Sequence, residues 1–110
     1  MSTIVETINK NILSWSGVTS GMHRFGGVEY RIDKREMGHV HDEILADLPF
    51  PMQMRNKLIE SGRVSPHHIL THSGWVSKWI KDEKDVAEVI QLFRMQYERL
   101  KPRDGQDKKI

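Results

Sequence analysis

The sequence contains no cysteine, which excludes a disulfide scaffold and any thiolate metal ligand. It also has no apolar run near the roughly 20 residues that a membrane-spanning helix needs, and its N-terminus does not resemble a signal peptide. These absences predict a soluble, cytoplasmic protein with no membrane partner.

A concentrated basic face is also missing. The 17 lysines and arginines are interleaved with 15 acidic residues, so the formal net charge is only +2. Nucleic-acid-binding proteins normally place their basic residues on one face. We therefore expect no nucleic-acid partner, and nothing in the sequence indicates an oligomeric state.

The length of 110 residues is that of one domain. Helical periodicity predicts three helices. The first begins at a capping box of Thr3 and Glu6, the second covers Met52 to Ser61, and the third is capped by Asp82. We expect the domain to span residues 1–101 and residues 102–110 to form a disordered tail after Pro102.

Alternating apolar and polar residues predict strands between these helices. Three strands are expected from Val18 to Asp42 and two more from Val64 to Ile80, whereas Pro49 and Pro51 indicate that Ile44 to Pro51 is an irregular connection. The predicted fold is therefore α+β with two layers. An antiparallel sheet of about five strands is covered by helices, in the order α-β-β-β-α-β-β-α.

Hairpin pairing predicts which side chains share a face of this sheet. A two-residue loop at Asp33-Lys34 would place Tyr30 opposite Met37 and Val28 opposite His39. Met37, His39 and His41 would then share a face with Tyr30, and Glu36 would point away. A turn at Gly26-Gly27 would pair Phe25 with Val28 and add His23, opposite Tyr30, to that face. A bulge at either turn would reverse the assignment.

The spacing of the histidines is the main chemical signal. His39 and His41 are two residues apart on a predicted strand, so both rings leave the same side, about 7 Å apart. Two such rings can share a metal, or one can act as a base while the other holds a substrate oxygen. They can also be ordinary hydrogen-bonded side chains. A third histidine of the site would be His23, His67 or His68. Because consecutive residues of a strand point to opposite faces, His67 and His68 could not both face the site.

Two other features are open to a functional or a structural interpretation. Trp75 and Trp79 share one face of a predicted strand, where they could line an aromatic pocket or simply pack in the core. His72 lies in a predicted turn and is expected to be exposed.

Several stretches resemble the luciferase domain family, which includes small bacterial proteins and the fungal luciferases. The resemblance rests on Lys34-Arg35-Glu36, on His39-Val40-His41-Asp42 and on Gly62-Arg63-Val64-Ser65-Pro66-His67-His68, and extends from about Trp15 to Leu100. It implies a small aromatic or enolisable ligand in a histidine-lined pocket. The fungal enzymes oxygenate a hydroxypyrone with molecular oxygen, so the resemblance implies no flavin, haem or nicotinamide. The chain differs from the fungal pattern in the connection from Ile44 to Pro51, which has Asp47 and prolines in place of a further histidine.

The resemblance favours pocket residues over metal ligands, and we expect neither a cofactor nor a metal. Together with the predicted face of the sheet, it leads us to expect that His39, His41 and His68 are catalytic. The residues that we expect to contact the substrate are His23, Tyr30, His67, Trp75 and Trp79. The alternative is a non-enzymatic module that binds a small molecule, a metal or another partner, so the sequence leaves enzymatic activity undecided.

Overall fold

The computed structural model describes residues 4–22, 27–41 and 44–101. Within them, six strands form one antiparallel sheet in the order β1-β2-β3-β4-β6-β5, accompanied by three helices. The strands are β1 (Val18–Met22), β2 (Val28–Ile32), β3 (Arg35–His41), β4 (Leu45–Pro49), β5 (Ser65–Pro66) and β6 (Trp75–Trp79). The helices are α1 (Ile4–Ile12), α2 (Met52–Glu60) and α3 (Glu83–Leu100). The predicted α+β class is confirmed.

The hydrophobic core lies between the helices and one face of the sheet. Tyr30 is fully buried there, donates a hydrogen bond to Asn9 of α1 at 2.7 Å and contacts the ring of Phe93 of α3 edge to face. The fully buried Val40 and Val76 extend this face across the sheet. The described part of the chain contains no helix long and apolar enough to cross a membrane.

Strand β4 corrects the prediction of an irregular connection from Ile44 to Pro51. It is a central strand that pairs with β3 on one side and β6 on the other. Pro49 is its last residue, where a missing N–H removes little from the ladder, and Pro51 precedes α2. The prolines therefore limit the strand without preventing it.

The pairing of β2 with β3 corrects the predicted direction of the histidines. The turn at Asp33-Lys34 forms as expected, with Ile32 opposite Arg35, but the register shifts after Arg31 pairs with Glu36. Tyr30 is opposite Gly38, which makes Met37 the additional residue of a β-bulge. His39 and His41 therefore lie on the face opposite that of Tyr30.

A buried glutamine of α3 supports this bulge. The Gln96 side chain is fully buried, and its Nε2 donates hydrogen bonds to the carbonyl of Met37 at 2.8 Å and to that of Pro49 at 2.6 Å. A bulge leaves backbone groups outside the regular ladder, and a buried carbonyl needs a partner. Gln96 thus stabilises the conformation that reverses the face of the two histidines.

The other predicted hairpin has a different register as well. Met22 pairs with Val28 and Ser20 with Tyr30, so the predicted pairings of Phe25 with Val28 and of His23 with Tyr30 are wrong. The predicted site residue His23 lies outside the described residues, as do Thr3 of the capping box, Asp42 and the predicted tail at 102–110.

The first strand of the predicted C-terminal pair is also shorter than expected. Strand β5 ends at Pro66, and a loop of residues 67–74 connects it to β6. The loop begins with a hydrogen bond from the amide of His67 to the carbonyl of Trp75, at 3.3 Å. It starts on the sheet face that the helices leave uncovered.

The cap of α3 gives a testable consequence for stability. Asp82 accepts a hydrogen bond from the amide of Asp85 at 3.1 Å, and Asp85 accepts one from the amide of Lys81 at 2.9 Å. We expect Asp82→Ala to lower the free energy of unfolding by about 1 kcal/mol, because an N-cap contributes about that much. Urea unfolding measures it, with the exposed Lys84→Ala as the control. Equal stability of the two variants would show that the cap contributes nothing.

Candidate functional site

A line of polar residues crosses the sheet on the face opposite the hydrophobic core. Register pairing places Glu29, His39, Asp47, Ser77 and Ser65 directly opposite one another on five neighbouring strands. We call this set the polar row. Paired residues point to the same side of a sheet, so these side chains share one surface. His41 and Trp75, two residues along their strands, share it too.

Asp47 is the centre of the site. It is only 1% exposed, and Ser77 donates a hydrogen bond to its Oδ1 at 2.7 Å. Its other oxygen, Oδ2, lies 3.2 Å from Nε2 of His41, 3.4 Å from Nε2 of His39 and 3.5 Å from Nε2 of His67. Three imidazoles, two from β3 and one from the loop after β5, therefore converge on one buried carboxylate oxygen.

His39 is held between two carboxylates. Its Nδ1 lies 2.8 Å from Oε2 of Glu36, which is possible because the bulge brings both side chains to the same face; the prediction that Glu36 points away is wrong. Burial alone would lower the pKa of His39, but hydrogen bonding to Asp47 and Glu36 and the charges of both carboxylates together raise it to about 9. Without a bound ligand, the His39 ring is thus a hydrogen-bond donor at neutral pH.

His67 is held in a different state. Its Nδ1 accepts hydrogen bonds from the amides of Ile69 at 3.1 Å and Leu70 at 3.0 Å. A ring nitrogen that accepts hydrogen bonds carries no proton, so the proton of the neutral ring is on Nε2, facing Asp47. Burial lowers the pKa of His67 despite the nearby charge of Asp47, which agrees with a neutral ring.

Asp47 is ionised in this environment. Burial would raise the pKa of its carboxyl group, but hydrogen bonds from His39 and Ser77 and the positive charge of the His39 ring lower it below its usual range. The site therefore holds a buried anion whose partners are imidazoles and a hydroxyl group.

The open side of this cluster has aromatic character. His68 is exposed, and its ring stacks on that of His67 with centroids 4.4 Å apart. The half-buried Trp75 ring lies 5.4 Å from that of His39 and 6.1 Å from that of His67. Because residues 67–74 form a loop, the rule that His67 and His68 cannot both face the site does not apply.

Two other predicted site residues are outside the cluster, one on the opposite face of the sheet and one on the same face. Tyr30 is buried in the core on the opposite face, so it cannot contact a ligand beside the histidines. Trp79 shares the face of Trp75 and Ser77, as expected, but it is 45% exposed and pairs with Leu45 outside the polar row. His72 is exposed, as expected.

Sequence reasoning missed three contributors to the site, namely Asp47, Glu36 and Ser77. Asp47 was assigned to an irregular connection because of the nearby prolines. The signal that could have identified it is an aspartate between the apolar residues Ala46 and Leu48, since an ionised side chain inside a buried strand needs a partner.

The donor atoms of the cluster are close enough to hold a cation. In one group, donor atoms of His39, His41 and Asp47 all lie within 4.8 Å of one another, and in a second group those of Asp47, His67 and His68 do so. Imidazole and carboxylate are ligands of divalent transition metals. The arrangement can therefore hold a positive charge beside Asp47, either as protons on the rings or as a metal ion.

Comparison with protein families identifies the family to which the chain belongs. The model of the luciferase domain matches residues 34–96, more than half of the chain. The chain belongs to the luciferase domain family. The matched segment begins at the β2–β3 turn, ends at Gln96 and contains the whole histidine cluster. A search of curated proteins and one of solved structures found no match.

Proposed function

We propose that this luciferase-domain protein binds a small aromatic or enolisable molecule beside the histidine cluster and oxidises it with molecular oxygen, without a redox cofactor. One observation carries the proposal: the Nε2 atoms of His39, His41 and His67 converge on the buried Asp47 next to the half-buried Trp75 ring. A charged polar centre beside an aromatic surface is the composition of a small-molecule site.

The environments of the histidines suggest their roles. His39 hydrogen-bonds to two carboxylates and His67 is held with its proton on Nε2, so neither ring has a free lone pair for a substrate. His68 lies at the exposed rim of the same cluster and is the base in this proposal. In this proposal the protonated His39 ring is the positive pole that stabilises the substrate oxyanion.

The reaction requires no additional redox partner. His68 removes the acidic proton of the substrate, from the enol hydroxyl of a hydroxypyrone or from a carbon next to a carbonyl, and leaves an enolate. The enolate carbon forms a bond to molecular oxygen, which accepts two electrons, and the proton returns to give a hydroperoxide. Substrate and oxygen are thus the only reactants, and the Trp75 ring offers a surface on which a planar substrate can stack.

The test is oxygen uptake by the purified protein with an aryl-substituted 4-hydroxy-2-pyrone. We expect His68→Ala to lower the rate by a factor of about 10² or more, since a positioned general base typically contributes about 10²–10⁴. The variant should fold normally because His68 is exposed. The exposed His72→Ala is the matched control and should retain the wild-type rate.

Saturation-transfer NMR measures binding of the same pyrone. If the pyrone binds but no oxygen is taken up, the enzymatic proposal is contradicted and a binding module is favoured. Equal rates for His68→Ala and the wild type would contradict the role of His68. The absence of both binding and uptake across a panel of pyrones and related enolisable carbonyl compounds would reject the proposed ligand class.

A further inference from the structure

The contacts of Asp47 with His39 and His41 are longer than charge-assisted hydrogen bonds. Charge-assisted N–H···O bonds between imidazolium and carboxylate are about 2.7–2.9 Å long. Oδ2 of Asp47 lies 3.2 Å from Nε2 of His41 and 3.4 Å from Nε2 of His39, whereas the contact between His39 and Glu36 has the expected 2.8 Å. A direct hydrogen bond thus explains the contact between His39 and Glu36 better than it explains the contacts of Asp47 with His39 and His41.

The inner distances fit the ligands of a metal ion. Two donor atoms bound to a tetrahedral zinc ion at about 2.0–2.1 Å lie about 3.3–3.4 Å apart. Oδ2 of Asp47 lies 3.2 Å from Nε2 of His41 and 3.4 Å from Nε2 of His39, which is within 0.2 Å of that donor–donor separation. The ligand atoms of all three residues also lie within 4.8 Å of one another. Two edges of one coordination sphere therefore have the expected length.

The surroundings of these residues have the form of an outer coordination shell. Metal-bound imidazoles usually donate the proton of the other ring nitrogen to a carboxylate, as Nδ1 of His39 does toward Glu36. The carboxylate ligand is itself oriented, since Ser77 donates to Oδ1 of Asp47. His67 carries its proton on Nε2, 3.5 Å from Oδ2 of Asp47, so this nitrogen has no lone pair to offer an ion.

We propose that His39 Nε2, His41 Nε2 and Asp47 Oδ2 bind one divalent transition-metal ion of the zinc class. Two imidazoles and one carboxylate suit such ions better than magnesium or calcium, which prefer oxygen ligands alone. Three protein ligands leave a position for a substrate oxygen, as in catalytic zinc sites. The ion would be the positive pole of the proposed reaction. That role rests on the proposed function, although binding can be measured without a substrate.

The experiment is calorimetric titration of zinc chloride into the full-length, untagged protein after treatment with a chelator, with metal content checked by mass spectrometry. We expect one equivalent to bind. His41→Ala should lower the affinity at least 100-fold, because it removes one of three ligands, and Glu36→Gln should lower it about 10–100-fold through the outer shell. His68→Ala and His72→Ala should bind as the wild type does.

The proposal is overturned if the wild type binds no zinc, or if His41→Ala and Glu36→Gln both keep the wild-type affinity. It is also overturned if the loss occurs in His68→Ala or His72→Ala instead. Circular dichroism of each variant shows whether a loss of zinc binding comes from the missing ligand or from misfolding. Glu36→Gln changes a partly exposed residue, so it is the variant least affected by misfolding.

The two proposals fail separately. Zinc binding without oxygen uptake from the pyrone would leave the metal site intact and reject the oxidation. If oxygen uptake is unchanged after the metal has been removed with a chelator, the oxidation is supported and the ion is not the positive pole of the reaction.

Discussion

Replacing Asp47 by alanine is expected to lower the free energy of unfolding by about 3 kcal/mol, because removing one partner of a buried charge network leaves the others without compensation. Asp47 is 1% exposed and contacts Ser77 and the three histidines of the cluster. Urea unfolding in the presence of a chelator measures the effect. The surface variant Glu60→Ala is the control and should remain within about 0.5 kcal/mol of the wild type.

Asp47→Asn refines this test. Its amide keeps an oxygen that can accept a hydrogen bond from Ser77 but carries no charge, so we expect a smaller loss of stability than for Asp47→Ala. A loss below about 1 kcal/mol for the alanine variant would contradict a buried network centred on Asp47.

Replacing Gln96 by leucine is expected to cost about 1–3 kcal/mol, since the buried carbonyl of Met37 in the bulge is left without its partner. The carbonyl of Pro49 at the end of β4 also loses a hydrogen bond, but it keeps a contact with Nη2 of Arg99 at 3.5 Å. The exposed Gln91→Leu, on the same helix, is the matched control. Urea unfolding again measures the difference.

The Gln96 substitution should also affect the site. Because the bulge at Met37 sets the face of His39 and His41, loosening it should weaken zinc binding by the remaining folded protein. A variant that loses stability but keeps the wild-type zinc affinity would show that Gln96 stabilises the core without positioning the histidines.

The helices and the strand alternation could be predicted because they depend on local patterns. The periodic residues of α3 and the Asp82 cap appear in the structure as expected, and Gly62 closes α2 with a φ of 78°. Trp75 and Ser77 share a face because β6 alternates regularly.

The errors arose where tertiary contacts override local patterns. The bulge in β3 depends on a hydrogen bond from Gln96, which is 59 residues away from Met37 in the sequence. Strand β4 exists because β3 and β6 flank it, although its prolines argue against a strand. The loop after Pro66 brings His67 and His68 to the same site, whereas strand alternation would have separated them.

The candidate site was thus predicted in its residue types but not in its geometry. His39, His41, His67, His68 and Trp75 come together as a group, but on the face opposite that of Tyr30. The Asp47 carboxylate, on which they converge, could not be predicted from periodicity, because a single aspartate in a short apolar segment has no periodic pattern.

The convergence of the imidazoles on Asp47 is the central claim, and histidine side-chain NMR tests it most directly. Long-range proton–nitrogen spectra of the wild-type protein, recorded after metal removal with a chelator, should show His67 with its proton on Nε2. Asp47→Asn should shift the Nε2 resonances of His39, His41 and His67 and leave those of His72 unchanged. A folded Asp47→Asn protein in which the first three resonances stay at their wild-type positions would contradict the account.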